Sequence, residues 1–378
     1  MVNDSPKPLR LLIAGGGTGG HVLPAIAVVE ELRARDLPHD LLWVGDKKGV
    51  ESRIAAENRI RFAAIPTGKL RRYLSFENLV DATRIPVGIV AGWHQVRRFQ
   101  PDVIYSTGGA VSVPTLVLGH YLAPVLTHEQ TAQVGLANKV ASKYATTFAA
   151  GFEEAAVIAR KHCKNVIVTG NPVRASLRQG NKQRGLDTFG FSTDLPVLYV
   201  TGGARGASPL NDRIAALLPD LLQHTQILHQ AGPKSANGDV AKLESLRELW
   251  PAHLQARYRV VEFIGSELPD VYAMTDLVIA RSGAGTVSEL AFAGLPSVLI
   301  PLPGTWGDEQ TKNAKVLAAA GAAVVLPQPE ATPERLRTEV TALLQDPDRR
   351  DQMRTAASKI AQPNAAANLL DEILKIRK

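Results

Sequence analysis

One cysteine, Cys163, stands among the 378 residues, so no disulfide closes within the chain and no structural zinc site is built on thiolates. That usage fits a reducing cytosol. No apolar stretch approaches the roughly 20 residues of a spanning helix. The best candidate, Ala110 to Leu126, is broken by Pro114, His120 and Pro124. The residues before Leu9 are polar and include proline, and the apolar run after them is shorter than a signal-peptide core. Any membrane contact is therefore expected to be peripheral. No His/Asp cluster shows metal-ligand spacing, so no resident metal is expected. Short-period repeats and low-complexity tracts are also absent.

The length favours two domains over one core. Hydrophobic and charged contents of 45% and 21% are those of an ordinary globular protein. A net charge of +7 favours an anionic partner: nucleotide, nucleic acid or acidic lipid surface. The charge alone does not choose among them.

The apolar run Leu11–Ala14 enters Gly15-Gly16-Gly17-Thr18-Gly19-Gly20-His21 and then a periodic segment from Val22, which reads as strand, tight loop and helix. Such a loop presents backbone N–H groups at a helix start and can seat a phosphate. Gly15, Gly17 and Gly20 satisfy G-x-G-x-x-G, but His21-Val22 stands where a P-loop has Lys-Ser/Thr. A dinucleotide site would also want an acid about 20 residues past the loop. Asp46, the only candidate at the end of the next strand, comes later than that. His21 places an imidazole beside the expected anion seat.

From Pro66 to Pro101, six basic residues (Lys69, Arg71, Arg72, Arg84, Arg97, Arg98) face two acids and are interleaved with apolar side chains, a pattern suited to an anionic membrane surface or to a solvated helix face. A second glycine pair, Gly108-Gly109, follows the strand Val103–Tyr105, and His128-Glu129-Gln130 follows the strand Val125–Thr127. The polar stretch Gln179 to Asp194 reads as an interdomain linker, dividing the chain into 1–178 and 195–378, with the last helix able to pack back on the first domain. Beyond it the opening pattern returns: strand Val197–Thr201, glycine loop Gly202–Ala207, helix from Pro209. Further strands are expected at Gln226–His229, Val260–Phe263, Leu277–Ala280 and Ser297–Ile300. After Ala280, Arg281-Ser282-Gly283-Ala284-Gly285-Thr286-Val287-Ser288-Glu289 sets glycines and hydroxyls at a helix start, with Glu289 one turn in, where a carboxylate accepts from a ribose diol. Asp346-Pro347-Asp348 is literally D-x-D but lies between helical stretches and reads as structural.

Taken in order, Gly16–His21, Thr67–Tyr73, Gly108-Gly109 with Val111–Pro114, His128–Gln130, Gly170–Arg174, Arg281–Glu289 and Gln310 with Asn313-Ala314 resemble the MurG family of peptidoglycan N-acetylglucosaminyltransferases. The resemblance runs from about Leu9 to Gly321. It implies an α/β GT-B glycosyltransferase fold, two Rossmann-like domains facing across a cleft. It implies inverting transfer of N-acetylglucosamine from UDP-N-acetylglucosamine to undecaprenyl-diphosphate-N-acetylmuramyl-pentapeptide, converting lipid I to lipid II. His21 is the implied general base. The implied UDP-sugar residues are Thr18, Gly19, Gly20, Thr131, Arg174, Ala204, Ile264, Ala284, Gly285, Thr286, Val287, Ser288, Glu289 and Gln310, with Lys69, Arg71, Arg72, Gly108 and Gly109 toward acceptor and membrane. No cofactor or nucleic acid is implied, and the expected location is the cytoplasmic face of the cell membrane, against its anionic inner leaflet.

The chain departs from the family pattern at Thr131 (commonly Asn), at Ala204-Arg205 (commonly Ser-Gln), at Glu309 (often Gln or His) and at Ala110 (often aromatic). These departures keep open a MurG-like transferase with another nucleotide sugar or another lipid or small-molecule acceptor. An NAD-dependent oxidoreductase explains the first loop but leaves Glu289 without a role. A non-enzymatic anionic-membrane or nucleotide-binding protein explains the basic segment but leaves His21 idle.

Overall fold

The computed structural model describes residues 7–68 and 76–378. Its first unit runs through Arg174 and adds Gln362–Lys378; its second is Ala175–Ala361. The first holds a seven-stranded parallel sheet of β1 (Leu9–Gly15), β2 (His39–Gly45), β3 (Arg61–Ala64), β4 (Val103–Gly108), β5 (Val125–Glu129), β6 (Thr147–Ala150) and β7 (Val166–Val168), ordered 3-2-1-4-5-6-7. The second holds a six-stranded parallel sheet of β8 (Val197–Thr201), β9 (Gln226–Gln230), β10 (Tyr258–Val261), β11 (Leu277–Ala280), β12 (Ser297–Leu299) and β13 (Ala323–Val325), ordered 10-9-8-11-12-13.

Both sheets are doubly wound, with the strand order reversing between β1 and β4 and between β8 and β11. Parallel strands covered on both faces read as continuous apolar runs. Accordingly Leu11, Leu12 and Ile13 of β1 are wholly buried, each contributing roughly 1.5–3 kcal/mol. Ligands of such sheets bind outside the carboxyl ends at the reversal. The loop after β1 and the Gly108-Gly109 loop after β4 flank one reversal; the loops after β8 and β11 flank the other.

Some sequence expectations change, at Gln179–Asp194 and at the end of β10. Gln179–Asp194 is not a bare linker: it contains the helix Lys182–Phe189, capped by the Asn181 side chain and closed by Gly190 at φ 64°. Arg184 grips Asp270 through two bonds of 2.5 Å, fastening this helix within the second unit. The last helix, Ala365–Lys375, belongs to the first unit, because Leu369, Leu370 and Ile373 complete that unit's core with Val22, Ile26 and Leu32. Strand β10 ends at Val261, two residues before the expected end, and leaves Phe263 57% exposed. Asp346 of the D-x-D sequence caps the helix Pro347–Ile360, accepting from the Arg349 amide at 2.9 Å.

Candidate active site

The first glycine loop is gripped from two sides. The Gly16 amide donates to the Gly108 carbonyl at 3.3 Å, and the Gly17 amide donates to Oε2 of Glu51 at 2.9 Å. Glu51 is wholly buried, and its Oε1 accepts from the Asp46 amide at 2.9 Å. Its carboxyl group fills the space a side chain would need: a Cβ on Gly16 or Gly49 would lie 2.2 Å from it. Gly109, at φ 81°, brings the second loop equally close, since a Cβ there would lie 2.3 Å from the Gly16 carbonyl. The glycines thus serve loop-to-loop and loop-to-carboxylate packing. Two amides expected to face an anion are already used.

What remains open is the start of the helix Gly19–Ala34, where the first N–H groups have no intrahelical acceptor. Thr18 flanks it without a side-chain cap, and no acid lies in its first turn. His21 sits there, half-buried, with Nδ1 at 3.1 Å from both the Thr107 carbonyl and Oε1 of Gln130. Gln130 Nε2 donates to the Thr107 carbonyl at 2.8 Å and lies 3.2 Å from Nδ1 of His128, whose Nε2 is 3.1 Å from the Gly170 carbonyl. Burial pushes His128 down to about 4. Glu129, on the opposite face of β5, accepts from Thr131, Gly135 and Asn138 and shapes the loop that follows. Thr131 therefore turns its hydroxyl onto Glu129 at 2.8 Å. Asp46, the late acid, accepts from Thr67 and the Lys48 amide. Arg174 lies near Glu30, whose carboxyl burial pushes up and Arg174 draws back.

In the second unit, Ala204 and Arg205 are exposed at the tip of the Gly202–Ala207 loop. The helices Ser208–Ala215 and Ala284–Ala293 both begin without a side-chain cap and without an acid in the first turn. Ala284 and Val287 are buried, so only their backbone can face a ligand; Gly285, Thr286 and Ser288 are partly exposed. Ser282 is wholly buried and donates to the Gln310 carbonyl at 2.8 Å, so its hydroxyl is structural. Oε1 of Gln310 accepts from Leu302 and Ser282 amides at 2.9 and 3.3 Å. Tyr272 donates to Oε2 of Glu289 at 2.9 Å. The Ile264 amide donates to Oε1 of Gln230 at 3.0 Å.

The structure thus brings His21, Thr18, Gly19, Gly20, Gly108, Gly109, Thr131 and Arg174 into the first unit, and Ala204, Ile264, Ala284 to Glu289 and Gln310 into the second. Lys69, Arg71 and Arg72 lie outside the described residues. Glu51, Gln230 and Tyr272 are additions that sequence reasoning missed. Among the described residues no group of three or more His, Cys, Asp or Glu side chains is arranged to hold a metal, and no helix is long and apolar enough to cross a membrane.

Residues 11–150 match the glycosyltransferase family 28 N-terminal domain and residues 197–370 its C-terminal domain. A UDP-N-acetylglucosamine–N-acetylmuramyl-(pentapeptide) pyrophosphoryl-undecaprenol N-acetylglucosamine transferase of Halalkalibacterium halodurans is 33% identical, with 96% of this chain and 98% of the relative covered. A protein of the same name (copy 2) from Bacillus cereus is 35% identical, with 96% and 99% covered. The crystal structure of Acinetobacter baumannii MurG superposes with a TM-score of 0.73 at 28% identity, covering 97% of this chain and 100% of that one. The two Rossmann-like units are the halves of a GT-B fold, and with both family 28 domains in order and relatives matched nearly end to end, the chain belongs to the MurG family of glycosyltransferases.

Proposed function

We propose that the chain is an inverting transferase working by one direct displacement. It moves N-acetylglucosamine from UDP-N-acetylglucosamine to undecaprenyl-diphosphate-linked N-acetylmuramyl-pentapeptide, the step from lipid I to lipid II in peptidoglycan synthesis. An acceptor hydroxyl attacks the anomeric carbon, the bond to the UDP oxygen breaks, and His21 takes the hydroxyl proton. An imidazole suits that task near neutrality. The observation carrying this assignment of roles is the position of His21: at an uncapped helix start beside a sheet reversal, anchored through Nδ1 alone.

The donor set is assigned to the second unit. Glu289, oriented by Tyr272, takes the ribose; the Ile264 backbone meets the uracil; Gln310, its Oε1 held by backbone amides, turns its Nε2 toward the sugar. The leaving diphosphate is stabilised by the uncapped helix starts after Ala207 and Gly283, which concentrate N–H groups and positive dipole ends. This arrangement assigns the charge to backbone groups and needs no resident metal.

The enzyme works at the cytoplasmic face as a peripheral protein. Supporting this, the helix Phe76–Phe99 exposes Val87 and Val90 at 57% and 60% beside exposed Arg84, Arg97 and Arg98. Apolar and basic groups together suit an anionic bilayer surface. Purified protein mixed with UDP-N-acetylglucosamine and lipid I in detergent is expected to release UDP only when lipid I is present. Acceptor-independent release, or turnover confined to another nucleotide sugar, would refute the assignment.

A further inference from the structure

We propose that Gln130 and His128 form a hydrogen-bonded relay that fixes the proton of His21 on Nδ1, so that Nε2 holds the lone pair that accepts the acceptor hydroxyl's proton. Both are positioning residues, and the proposal rests on the reading of His21 as the base. Gln130 and His128 are 2% and 0% exposed, so they act through His21 and not on substrate.

The Gly170 carbonyl can only accept, so His128 Nε2, 3.1 Å away, carries a hydrogen and donates it. Burial keeps His128 neutral, and its Nδ1 is then a bare acceptor. The Gln130 amide nitrogen lies 3.2 Å from that Nδ1, 3.2 Å from the His128 carbonyl and 2.8 Å from the Thr107 carbonyl. All three partners accept, so the NH2 end of the amide belongs there. Oε1 must therefore face His21. His21 Nδ1 meets Oε1 and the Thr107 carbonyl, each at 3.1 Å. A lone pair on Nδ1 would confront two oxygens; a hydrogen there satisfies both. The neutral ring's one proton is thereby placed, and Nε2 is left basic.

The order of residues at the end of β5 and just past it makes this possible. With side chains alternating across a strand, His128 and Gln130 share one face while Glu129 takes the other. Other titratable groups on the packed elements are otherwise engaged. Glu129 is held by its loop, Tyr105 of β4 is buried with its hydroxyl pushed well above the usual phenol range, and Glu30 lies nine residues along the helix near Arg174.

Nitrogen-15 NMR of the full-length, histidine-labelled protein tests the relay without any variant. The nine imidazoles are resolved by difference against His21→Ala. The expected spectrum at pH 8 shows His21 as the Nδ1–H tautomer. An Nε2–H tautomer overturns the relay, whatever His21→Ala does to turnover. Kinetics supply the second arm. Gln130→Met is expected to lower kcat at least tenfold, with KM for UDP-N-acetylglucosamine within twofold of the parent. His128→Leu should behave likewise, whereas His128→Asn, which keeps an oxygen at the Nδ1 position, should retain at least a third of kcat. Equal loss in the Asn and Leu variants, or full kcat in Gln130→Met, refutes the relay. Undiminished turnover in His21→Ala would instead refute the base assignment.

Discussion

Glu51 is the group on which the first glycine loop depends most, and replacing it gives a quantitative test. Its two carboxylate oxygens accept from the Gly17 and Asp46 amides at 2.9 Å each, in a pocket that three glycines leave open. Glu51→Gln preserves shape but converts one acceptor into an NH2 directed at a backbone N–H. One charge-assisted bond is lost and a buried donor faces a donor, a cost on the order of 2–3 kcal/mol. In a unit of this size about 2–4 °C accompanies each kcal/mol, so the first unit should melt about 4–12 °C lower. If the loss is local, exchange of the Gly17 amide should accelerate by about 30- to 150-fold. The assays are calorimetry and amide hydrogen exchange, read beside turnover, which should fall because Gly17 leads directly into Thr18 and the His21 helix. A Gln variant melting within about 1 °C of the parent, with Gly17 exchange unchanged, would refute the role given to this carboxylate.

Other outcomes follow from the same geometry. His21→Ala should reduce kcat by roughly 10²–10⁴-fold while UDP affinity, measured by calorimetric titration, stays unchanged; equal losses in both would make His21 structural. Tyr272→Phe removes one hydrogen bond to a carboxylate and should raise KM for the donor by about three- to tenfold with kcat nearly constant. Reversing charge at Arg97 and Arg98 should weaken vesicle binding by about 1 kcal/mol or more per site and leave soluble donor binding intact. Stability should also fall with acid. His128 and His229, both wholly buried, are pushed down to about 4 and about 3. The unfolded chain therefore binds more protons below about pH 6.5, so their contribution is complete above that value and declines toward the folded pKa. That loss amounts to on the order of 3 kcal/mol for His128 by pH 4, and denaturant midpoints at pH 7 and pH 4.5 would reveal it.

The sequence made the doubled strand, glycine loop and helix plain, because the glycines and the apolar runs are local signals. It also marked His21 and the Ser282–Glu289 segment. What escaped were contacts made over distance. Glu51 sits in an unexceptional short helix and reaches Gly17 across 34 positions, so no local pattern announces it. Gln230 and Tyr272 read as an ordinary strand end and an ordinary apolar helix position. Strands β3 and β6 escape because Arg61–Ala64 and Thr147–Ala150 are short and half alanine, which has little preference for strands, and β13 because Ala323–Val325 spans only three residues. The helix Lys182–Phe189 hides in a polar stretch that contains Gly185. That glycine marks close packing: a Cβ there would stand 2.6 Å from the Asp270 carbonyl.

The loop amides separate the first glycine loop from the others better than the glycines do. Three helices begin with their own acceptors: Asn181, Thr332 and Asp346 each take an amide of the turn they precede. The helices beginning at Gly19, Ser208 and Ala284, all at sheet reversals, have neither a side-chain cap nor a first-turn acid. An uncapped start carries a partial positive charge and unmet N–H groups, and it is stabilised when an anion arrives. In the first unit, however, Gly16 and Gly17 have already given their amides to the Gly108 carbonyl and Glu51. The pattern G-x-G-x-x-G therefore overstates that loop as a phosphate seat. Rigidity gained there holds His21 in place, while the second unit has two helix starts without a side-chain cap, at Ser208 and Ala284. A glycine pattern that points to dinucleotide binding in one context thus acts, when a buried carboxylate fills it, as a mount for an imidazole.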